Sequence, residues 1–249
     1  MTRAGARWRD GLLWAALGYL ALVLLMPQTK ALFALLFPGL DRPLYEQDSF
    51  LSLVAGHLAL VAASSLAALG IALPAGIFVT RASGADFRGI AESLAAMGQS
   101  FPPVAVLALA VPLTGFGSGP ALIALTLYGA LPILQNTISG LGAVPDSVRE
   151  AARGVGMAGG QLLLRVELPL AAPIIIAGIR TSVVINIATA TIASTVGART
   201  LGSPILIGLN GANIAYVVQG AVLVALLGVL IDLAFERLVG TRPRCAGWR

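Results

Sequence analysis

Apolar runs of membrane-spanning length recur from one end of this 249-residue chain to the other, and they constrain its fold more than any other feature. A helix needs about 20 residues to cross the hydrocarbon core of a bilayer. Six stretches meet that need, near residues 11–26, 51–79, 94–113, 120–141, 173–196 and 212–235. We therefore expect an all-α membrane protein with about six transmembrane helices, forming a single domain over residues 1–249. A short apolar piece at 31–37 either extends the first span or lies at the membrane interface.

The composition argues against an enzyme. Hydrophobic residues make up 57% of the chain and charged residues 11%, against roughly 25% charged residues in soluble domains. One cysteine, Cys245, and one histidine, His57, cannot supply an internal disulfide or an ordinary zinc site. A membrane-embedded enzyme would need a nucleophile, a base or a metal cluster beside the bilayer, and the chain offers almost none. We expect no catalytic residue, cofactor or metal, and no nucleic-acid partner, because no basic patch interleaved with aromatic residues occurs.

The basic residues predict the orientation of the chain in the membrane. Six spans place both termini on one side, and basic residues concentrate in cytoplasmic loops. Only Arg42 and Arg199 fall in the odd-numbered connections. Twelve basic residues fall at the termini or in the even-numbered connections: Arg3, Arg7, Arg9, Arg81, Arg88, Arg149, Arg153, Arg165, Arg237, Arg242, Arg244 and Arg249. We expect both termini in the cytoplasm and the acidic loop with Asp41, Glu46 and Asp48 outside. A cleaved signal peptide also fits the basic start, but no small-residue cleavage pattern follows the first run.

The longest polar connection, residues 142–172, is the most informative stretch, and it reads GAVPDSVREAARGVGMAGGQLLLRVELPLAA. Ser147 with Glu150 three residues later forms a capping-box pattern, which predicts a short helix that Gly154 and Gly156 would end. A second short helix is predicted over 158–166, before the prolines at 169 and 173 turn the chain into the next span. By these patterns alone, a plain interfacial connector is the favoured interpretation of this helix-turn-helix.

Seven residues of this connection match a known pattern at fixed spacing. The pattern is EAA-x3-G-x9-I-x-LP, and the connection resembles the signature of the integral-membrane subunits of bacterial ABC importers. Its members here are Glu150, Ala151, Ala152, Gly156, Val166, Leu168 and Pro169, with Val166 in place of the usual isoleucine. The chain further resembles the osmoprotectant branch over roughly residues 45–238, in the stretches SFLSLVAGHLALV, PAGIFVTR, GQSFPPVAVLALAVP, LYGALPILQNT and GIRTSVVINIATATIASTVGARTLGSPILIGL.

The resemblance implies the type I importer permease fold in the bacterial inner membrane, and a role for residues 142–172, which we call the coupling loop. Its short helices would dock into a separate ATP-binding subunit. The resemblance assigns docking to Glu150, Ala151, Ala152 and Gly156, the contact surface to the stretch from Met157 through Gln161 to Arg165, and the exit to Leu168 and Pro169. Further implied partners are an extracytoplasmic substrate-binding protein and a second permease, either an identical copy or a paralogue. The chain itself lacks the GK[ST] end of a Walker A loop, because its only lysine, Lys30, precedes alanine.

Polar residues of the fifth predicted span are candidates for the translocation pathway. Asn186 lies near the middle of the span and is the first candidate, followed by Thr189, Thr191, Gln99 and Asn136. For each hydroxyl, a hydrogen bond to its own helix is the more common alternative. Gln219 is a weaker candidate, Asp232 is expected near the cytoplasmic end of the last span, and His57 is expected as a packed, neutral imidazole near the outer interface.

The substrate class rests on the resemblance, which implies glycine betaine, choline or a related quaternary amine. Quaternary ammonium groups are held by aromatic cages, and aromatic residues make up only 6% of this chain. This favours an importer whose selectivity resides in a separate binding protein. The alternative is a permease for methionine, another amino acid or a different small solute, since related families share the coupling loop. An ion channel would not need that loop.

Overall fold

A computed structural model describes the backbone of residues 4–240 and the side chains of residues 11–238. Its helices are α1 (Ala4–Leu25), α2 (Lys30–Leu36), α3 (Phe50–Val79), α4 (Arg88–Ser100), α5 (Pro103–Thr114), α6 (Ser118–Gly142), α7 (Asp146–Gly154), α8 (Gly159–Leu162), α9 (Leu168–Thr189), α10 (Gly202–Asn210) and α11 (Ile214–Gly240). Short 3-10 turns occupy Met26–Thr29, Ala85–Phe87 and Ile192–Val196, and a π turn occupies Leu163–Glu167. No strand occurs between residues 4 and 240. Cys245 and the outermost arginines, Arg3, Arg242, Arg244 and Arg249, lie outside the described residues.

Within the described part of the chain, five helical stretches are long and apolar enough to cross a membrane: Gly11–Leu36, Phe50–Val79, Ser118–Gly142, Gly159–Thr189 and Ile214–Leu238. A sixth span results if the bent pair α4 and α5 is counted as one. The prediction of an all-α protein with about six spans is therefore confirmed. The piece at 31–37 extends the first span, because α1, the turn at Met26–Thr29 and α2 form one apolar helical stretch.

The third predicted span, near residues 94–113, is wrong in its geometry. α4 and α5 meet at 95° instead of forming one straight helix. Phe101 between them is extended, with φ −67° and ψ 138°. Two prolines in succession, Pro102 and Pro103, follow it, and steric contact disfavours the helical region for a residue that precedes proline. The apolar run continues through the bend, because hydrophobicity does not report backbone direction.

The fifth predicted span, near residues 173–196, is wrong at both ends. α9 begins at Leu168 and ends at Thr189, and the chain then turns through Ile192–Val196 to Gly197, whose φ is +85°. α10 follows, where the sequence predicted only a loop. The Ser194 and Thr200 hydroxyls lie 2.9 Å apart, and Thr200 Oγ1 accepts a hydrogen bond from the Gly202 backbone N–H at 3.1 Å. These hydroxyls satisfy backbone groups that a continuous span would have paired internally.

The described chain forms two compact units. The first comprises Met1–Ala62, Pro103–Ile123 and Ile187–Arg249; the second comprises Ala63–Pro102 and Ala124–Asn186. In the first unit, α10 packs against α11, where a Cβ on Gly220 would lie 2.6 Å from Ile205 Cγ1. In the second unit, α3, α6 and α9 pack through two apolar clusters, one containing Ala68, Ala72, Val79, Ile133, Leu134 and Ile138 and the other Leu141, Ala171 and Ile175. The coupling loop belongs to the second unit.

Candidate functional site

The first helix of the coupling loop begins without the predicted capping box. α7 starts at Asp146, and its N-cap is Pro145, which is extended and makes no side-chain cap. The Pro145 carbonyl accepts hydrogen bonds from the backbone N–H groups of Val148 and Arg149, at 3.1 and 3.3 Å. The predicted pairing of Ser147 with Glu150 is therefore wrong, because the N-cap is Pro145, two residues before Ser147. Glu150 is left exposed on the helix surface.

Gly156 ends this helix with a defined backbone turn, as predicted. Its φ is +84°, in the left-handed region that glycine adopts at least cost. The Met157 N–H donates to the Ala152 carbonyl at 3.1 Å, and the Gly156 N–H donates to the Arg153 carbonyl at 2.9 Å. This pair of bonds is the Schellman motif, which satisfies carbonyls at a helix C-terminus. The glycine of the signature is thus required by backbone geometry.

The second part of the coupling loop differs from the prediction. α8 covers only Gly159–Leu162, and its N-terminus is capped when Gln161 Oε1 accepts a hydrogen bond from the Ala158 N–H at 3.2 Å. The π turn Leu163–Glu167 then leads straight into α9, so the break predicted at Pro169 and Pro173 is absent. Pro169 is the second residue of α9, which directly follows the π turn.

The coupling-loop residues to which the resemblance assigns docking, contact and exit roles divide into an exposed set and a packed set. Glu150, Ala151, Gln161, Arg165 and Pro169 are exposed or half-exposed, Met157 and Leu168 are half-buried, and Ala152 is buried. An open cavity of about 510 Å³ lies beside them, lined by Arg81, Arg153, Met157, Gly159, Gly160, Leu162 and Leu163. The loop therefore offers a folded, solvent-facing surface that a partner can contact.

The structure adds one residue that sequence reasoning missed. Glu167, in the π turn, is 2% exposed, and both of its carboxylate oxygens are occupied. Oε2 accepts a hydrogen bond from Arg81 Nη1 at 2.6 Å, and Oε1 accepts one from Arg149 Nε at 2.9 Å. Arg149 also donates to Asp146 at 2.9 Å and to the Leu141 carbonyl at 2.6 Å. We call Arg81, Asp146, Arg149 and Glu167 the charge cluster.

Asn186, the first pathway candidate, is fully buried in the second unit. Its Nδ2 donates hydrogen bonds to Ser65 Oγ at 3.1 Å and to Ser64 Oγ at 3.4 Å. Ser182 is also fully buried one turn earlier. A Cβ on Gly129 of α6 would lie 2.6 Å from Ser182 Oγ and 3.0 Å from Asn186 Nδ2. We call these five residues the polar cluster. Whether Asn186 lines a pathway stays a prediction.

Among the other pathway candidates, Gln99 and Asn136 bond backbone carbonyls, and Thr189 lies three residues after Asn186 on α9. Gln99 Nε2 donates to the Tyr128 carbonyl at 3.3 Å, and Asn136 Nδ2 donates to the Pro132 carbonyl of its own helix at 2.9 Å. Thr189 and Thr191 belong to the first unit. Three hydroxyls of the predicted fifth span bond their own helix or turn: Thr181 to Ala177, Thr191 to Ala188 and Thr195 to Ile192. Whether Thr189 or Thr191 lines a pathway stays a prediction.

Gln219 anchors the acidic loop of the first unit. It is fully buried, accepts a hydrogen bond from the Tyr45 N–H at 3.0 Å and donates one to the Pro43 carbonyl at 2.7 Å. The Tyr45 ring packs edge-on against Tyr216, and its hydroxyl donates to Asp48 at 2.9 Å. Burial and this hydrogen bond raise the pKa of Tyr45 well above its usual value, so the hydroxyl stays protonated.

His57 is fully buried, as expected, and its Nε2 lies 3.0 Å from the Ile187 carbonyl. Asp232, expected near the end of the last span, is half-buried in α11. Among the residues described, no group of three His, Cys, Asp or Glu side chains is arranged to hold a metal ion.

Comparison with known proteins identifies relatives over most of the chain. A family model described as binding-protein-dependent transport system inner membrane component matches residues 72–241. The osmoprotectant import permease protein OsmY of Salmonella typhimurium is 39% identical over 194 residues, which cover 78% of this chain and 82% of that protein. The glycine betaine/carnitine/choline transport system permease protein OpuCB of Bacillus subtilis is 42% identical over 162 residues, covering 65% and 74%.

Solved structures show the same fold. The MetNI methionine ABC transporter, in an inward-facing conformation, aligns with a TM-score of 0.70 at 25% identity, covering 76% of this chain and 94% of the other. An amino acid ABC transporter aligns with a TM-score of 0.58 at 18% identity, covering 76% and 90%. The predicted type I importer permease fold is therefore confirmed.

Proposed function

The chain belongs to the family of inner-membrane components of binding-protein-dependent transport systems, and from this premise we propose that it is the permease subunit of an ATP-driven osmoprotectant importer. Its solutes would be glycine betaine, choline or related quaternary amines, the class that the names of its relatives state for those proteins. The chain would carry no ATPase chemistry of its own. A separate ATP-binding subunit would hydrolyse ATP, and an extracytoplasmic binding protein would deliver the solute.

One observation carries the proposal: the seven-residue signature folds into an ordered, exposed helix-turn-helix. Glu150 and Gln161 are exposed on its two helices, and the turn between them is fixed by the left-handed Gly156. A preformed surface binds a partner without first losing the conformational entropy of a mobile loop. This supports docking of α7 and α8 on an ATP-binding subunit.

The proposed mechanism is alternating access in a complex of two permease subunits. The mate of this chain would be an identical copy or a paralogue, with one ATP-binding subunit docked under each. ATP changes the balance between the inward-open and outward-open states only through a difference in its affinity for the two states. Closure of the ATP-binding subunits would draw the two coupling loops together and shift the helices that follow them.

The experiment is affinity purification of the chain from native membranes, with every co-purifying protein identified. We expect an ATP-binding subunit that is lost in Glu150→Arg and Gly156→Asp. Glu46→Arg is the matched control, because Glu46 is an exposed carboxylate in the acidic loop. If no ATP-binding subunit is retained by the unmodified chain, or if the coupling-loop variants retain it as well as Glu46→Arg does, the proposed function is wrong.

The alternative is a permease for methionine or another amino acid, which the likeness to the methionine transporter favours. The solute that the co-purifying binding protein binds distinguishes the osmoprotectant permease from the amino acid permease. We expect calorimetric titration to show binding of glycine betaine, choline or carnitine. Binding of methionine alone would support the alternative and overturn the substrate class while leaving the permease role intact.

A further inference from the structure

We propose that Glu167 is a positioning residue that makes the coupling loop and the end of α3 move as one body. The inference rests on the proposed function, because it names the contact through which movement of the docked loop would reach a membrane-spanning helix. All residues that carry it lie in the second compact unit.

The first step is that both oxygens of the Glu167 carboxylate are hydrogen-bonded. Each of its two oxygens bonds a different arginine, at 2.6 Å from Arg81 and 2.9 Å from Arg149. Glu167 is 2% exposed, so its carboxylate depends on the two arginines for charge compensation. A buried carboxylate that loses one of two charged partners keeps an uncompensated charge, which strongly favours the intact arrangement.

The second step is the reach of Arg149, which joins three parts of the loop. Its guanidinium donates to Glu167 in the π turn, to Asp146 at the start of α7 and to the Leu141 carbonyl near the end of α6. Planar guanidinium groups hold such multiple acceptors in a fixed geometry, which a lysine cannot do. α7 is therefore fixed to the turn that follows α8.

The third step is Arg81, which connects the cluster to α3. Arg81 lies two residues after the last residue of α3 and donates to the Thr80 hydroxyl at 3.3 Å. Thr80 in turn donates to the Ile77 carbonyl within α3 at 2.7 Å. A displacement of α7 must therefore move the end of α3 or break a buried ion pair.

The π turn explains how a glutamate is directed into this contact. Leu164 and Arg165 of the turn are exposed, whereas Glu167 is buried. π insertions are rare and are found frequently at functional sites. The charge cluster is also neutral, because its two arginines face two carboxylates, so it needs no charged partner to balance it.

The test compares variants in the assembled complex, with its binding protein, in proteoliposomes. Glu167→Gln keeps the shape of the side chain and removes its charge. Arg81→Lys keeps the charge and guards against loss of folding. Arg88→Gln is the control, because it breaks an exposed ion pair with Glu92. We measure the ATP-binding subunit retained, the ATP hydrolysed and the solute transported per ATP.

We expect Glu167→Gln to retain the ATP-binding subunit, since Glu150 and Gly156 are untouched. Solute transported per ATP should fall, because movement of the docked loop would no longer be passed to the end of α3. In Arg81→Lys, solute transported per ATP should fall less. In Arg88→Gln, this ratio should equal that of the unmodified chain. The inference is overturned if solute transported per ATP is unchanged. It is also overturned if solute transport and ATP hydrolysis both fall only as far as the amount of folded complex falls. Failure of the unmodified chain to retain an ATP-binding subunit would instead overturn the proposed function, and this inference with it.

Discussion

Backbone conformation selects the glycine at position 156. No atom lies within 4 Å of the place a Cβ would occupy, so space is not the constraint. The constraint is φ +84°, which costs a residue with a side chain about 1–2 kcal/mol. Gly154, two residues earlier, is equally open but helical, and it provides a matched control.

Gly156→Ala is expected to weaken binding of the ATP-binding subunit by at most roughly tenfold, because about 1.4 kcal/mol of strain favours conformations of the free loop other than the left-handed turn. Gly154→Ala should leave binding unchanged or improve it slightly. Titration of the ATP-binding subunit against each variant in nanodiscs gives the dissociation constants. Equal constants for the two variants would show that the left-handed turn is not needed for docking.

A second glycine, Gly129, is selected by space instead. Its helix passes so close to Ser182 and Asn186 that an added Cβ would lie 2.6 Å from Ser182 Oγ. Such close approach through small residues is characteristic of helix packing in membranes.

Gly129→Ala is expected to lower the free energy of unfolding by about 1–3 kcal/mol, the usual cost of overpacking. The lower melting temperature in detergent reports it. Gly70→Ala, at an exposed position of α3 with open space, is the control. Adding Ser182→Ala should restore part of the loss, because it removes the atom in closest contact. A double variant no more stable than the single one would contradict this packing.

The signature residues can be recognised in the sequence because their spacing is local, and their docking role stays a prediction. Glu167 could not, because its two partners are 86 and 18 residues away in sequence and nothing in the run LLRVELP marks a buried carboxylate. In the sequence, its two arginines indicate only the orientation of the chain. The capping box failed for a related reason: Pro145 offers a competing N-cap that the pattern of Ser147 and Glu150 does not consider.

At the scale of elements, apolar length predicts where most helices lie but not how they bend. α3, α6 and α11 agree with the predicted spans to within a few residues. The bend between α4 and α5 is visible in principle, since Pro102 and Pro103 interrupt the run. The short helix α10 cannot be predicted in this way, because the Gly202 N–H at its start bonds the Thr200 hydroxyl, which in turn contacts Ser194, and these contacts form only in the folded chain.

The acidic loop before α3 is held as an element by Gln219. Gln219→Leu should leave the Tyr45 N–H buried without a partner, which costs about 1–3 kcal/mol. We expect faster hydrogen exchange at the Tyr45 amide and easier proteolysis of residues 38–49. Asn213→Ala is the comparison, because Asn213 bonds the Arg42 carbonyl of the same loop from an exposed position. Equal protection in the Gln219 variant and the unmodified chain would contradict the anchoring role.

At the scale of the molecule, the distribution of arginine predicts both termini in the cytoplasm. Cys245, the only cysteine, allows a direct test. A membrane-impermeant maleimide should label it in inside-out vesicles and not in right-side-out vesicles. Asp41→Cys combined with Cys245→Ser should show the reverse pattern. Labelling of Cys245 in right-side-out vesicles would place the C-terminus outside and contradict the docking side of the coupling loop.

ATP-dependent uptake of radiolabelled solute tests the central claim most directly, using the purified complex and its binding protein in proteoliposomes. We predict accumulation of glycine betaine or choline that requires ATP on the side of the coupling loop, is competed by carnitine and is lost in Gly156→Asp. Uptake that proceeds without ATP, or that the coupling-loop variant leaves intact, would contradict the account.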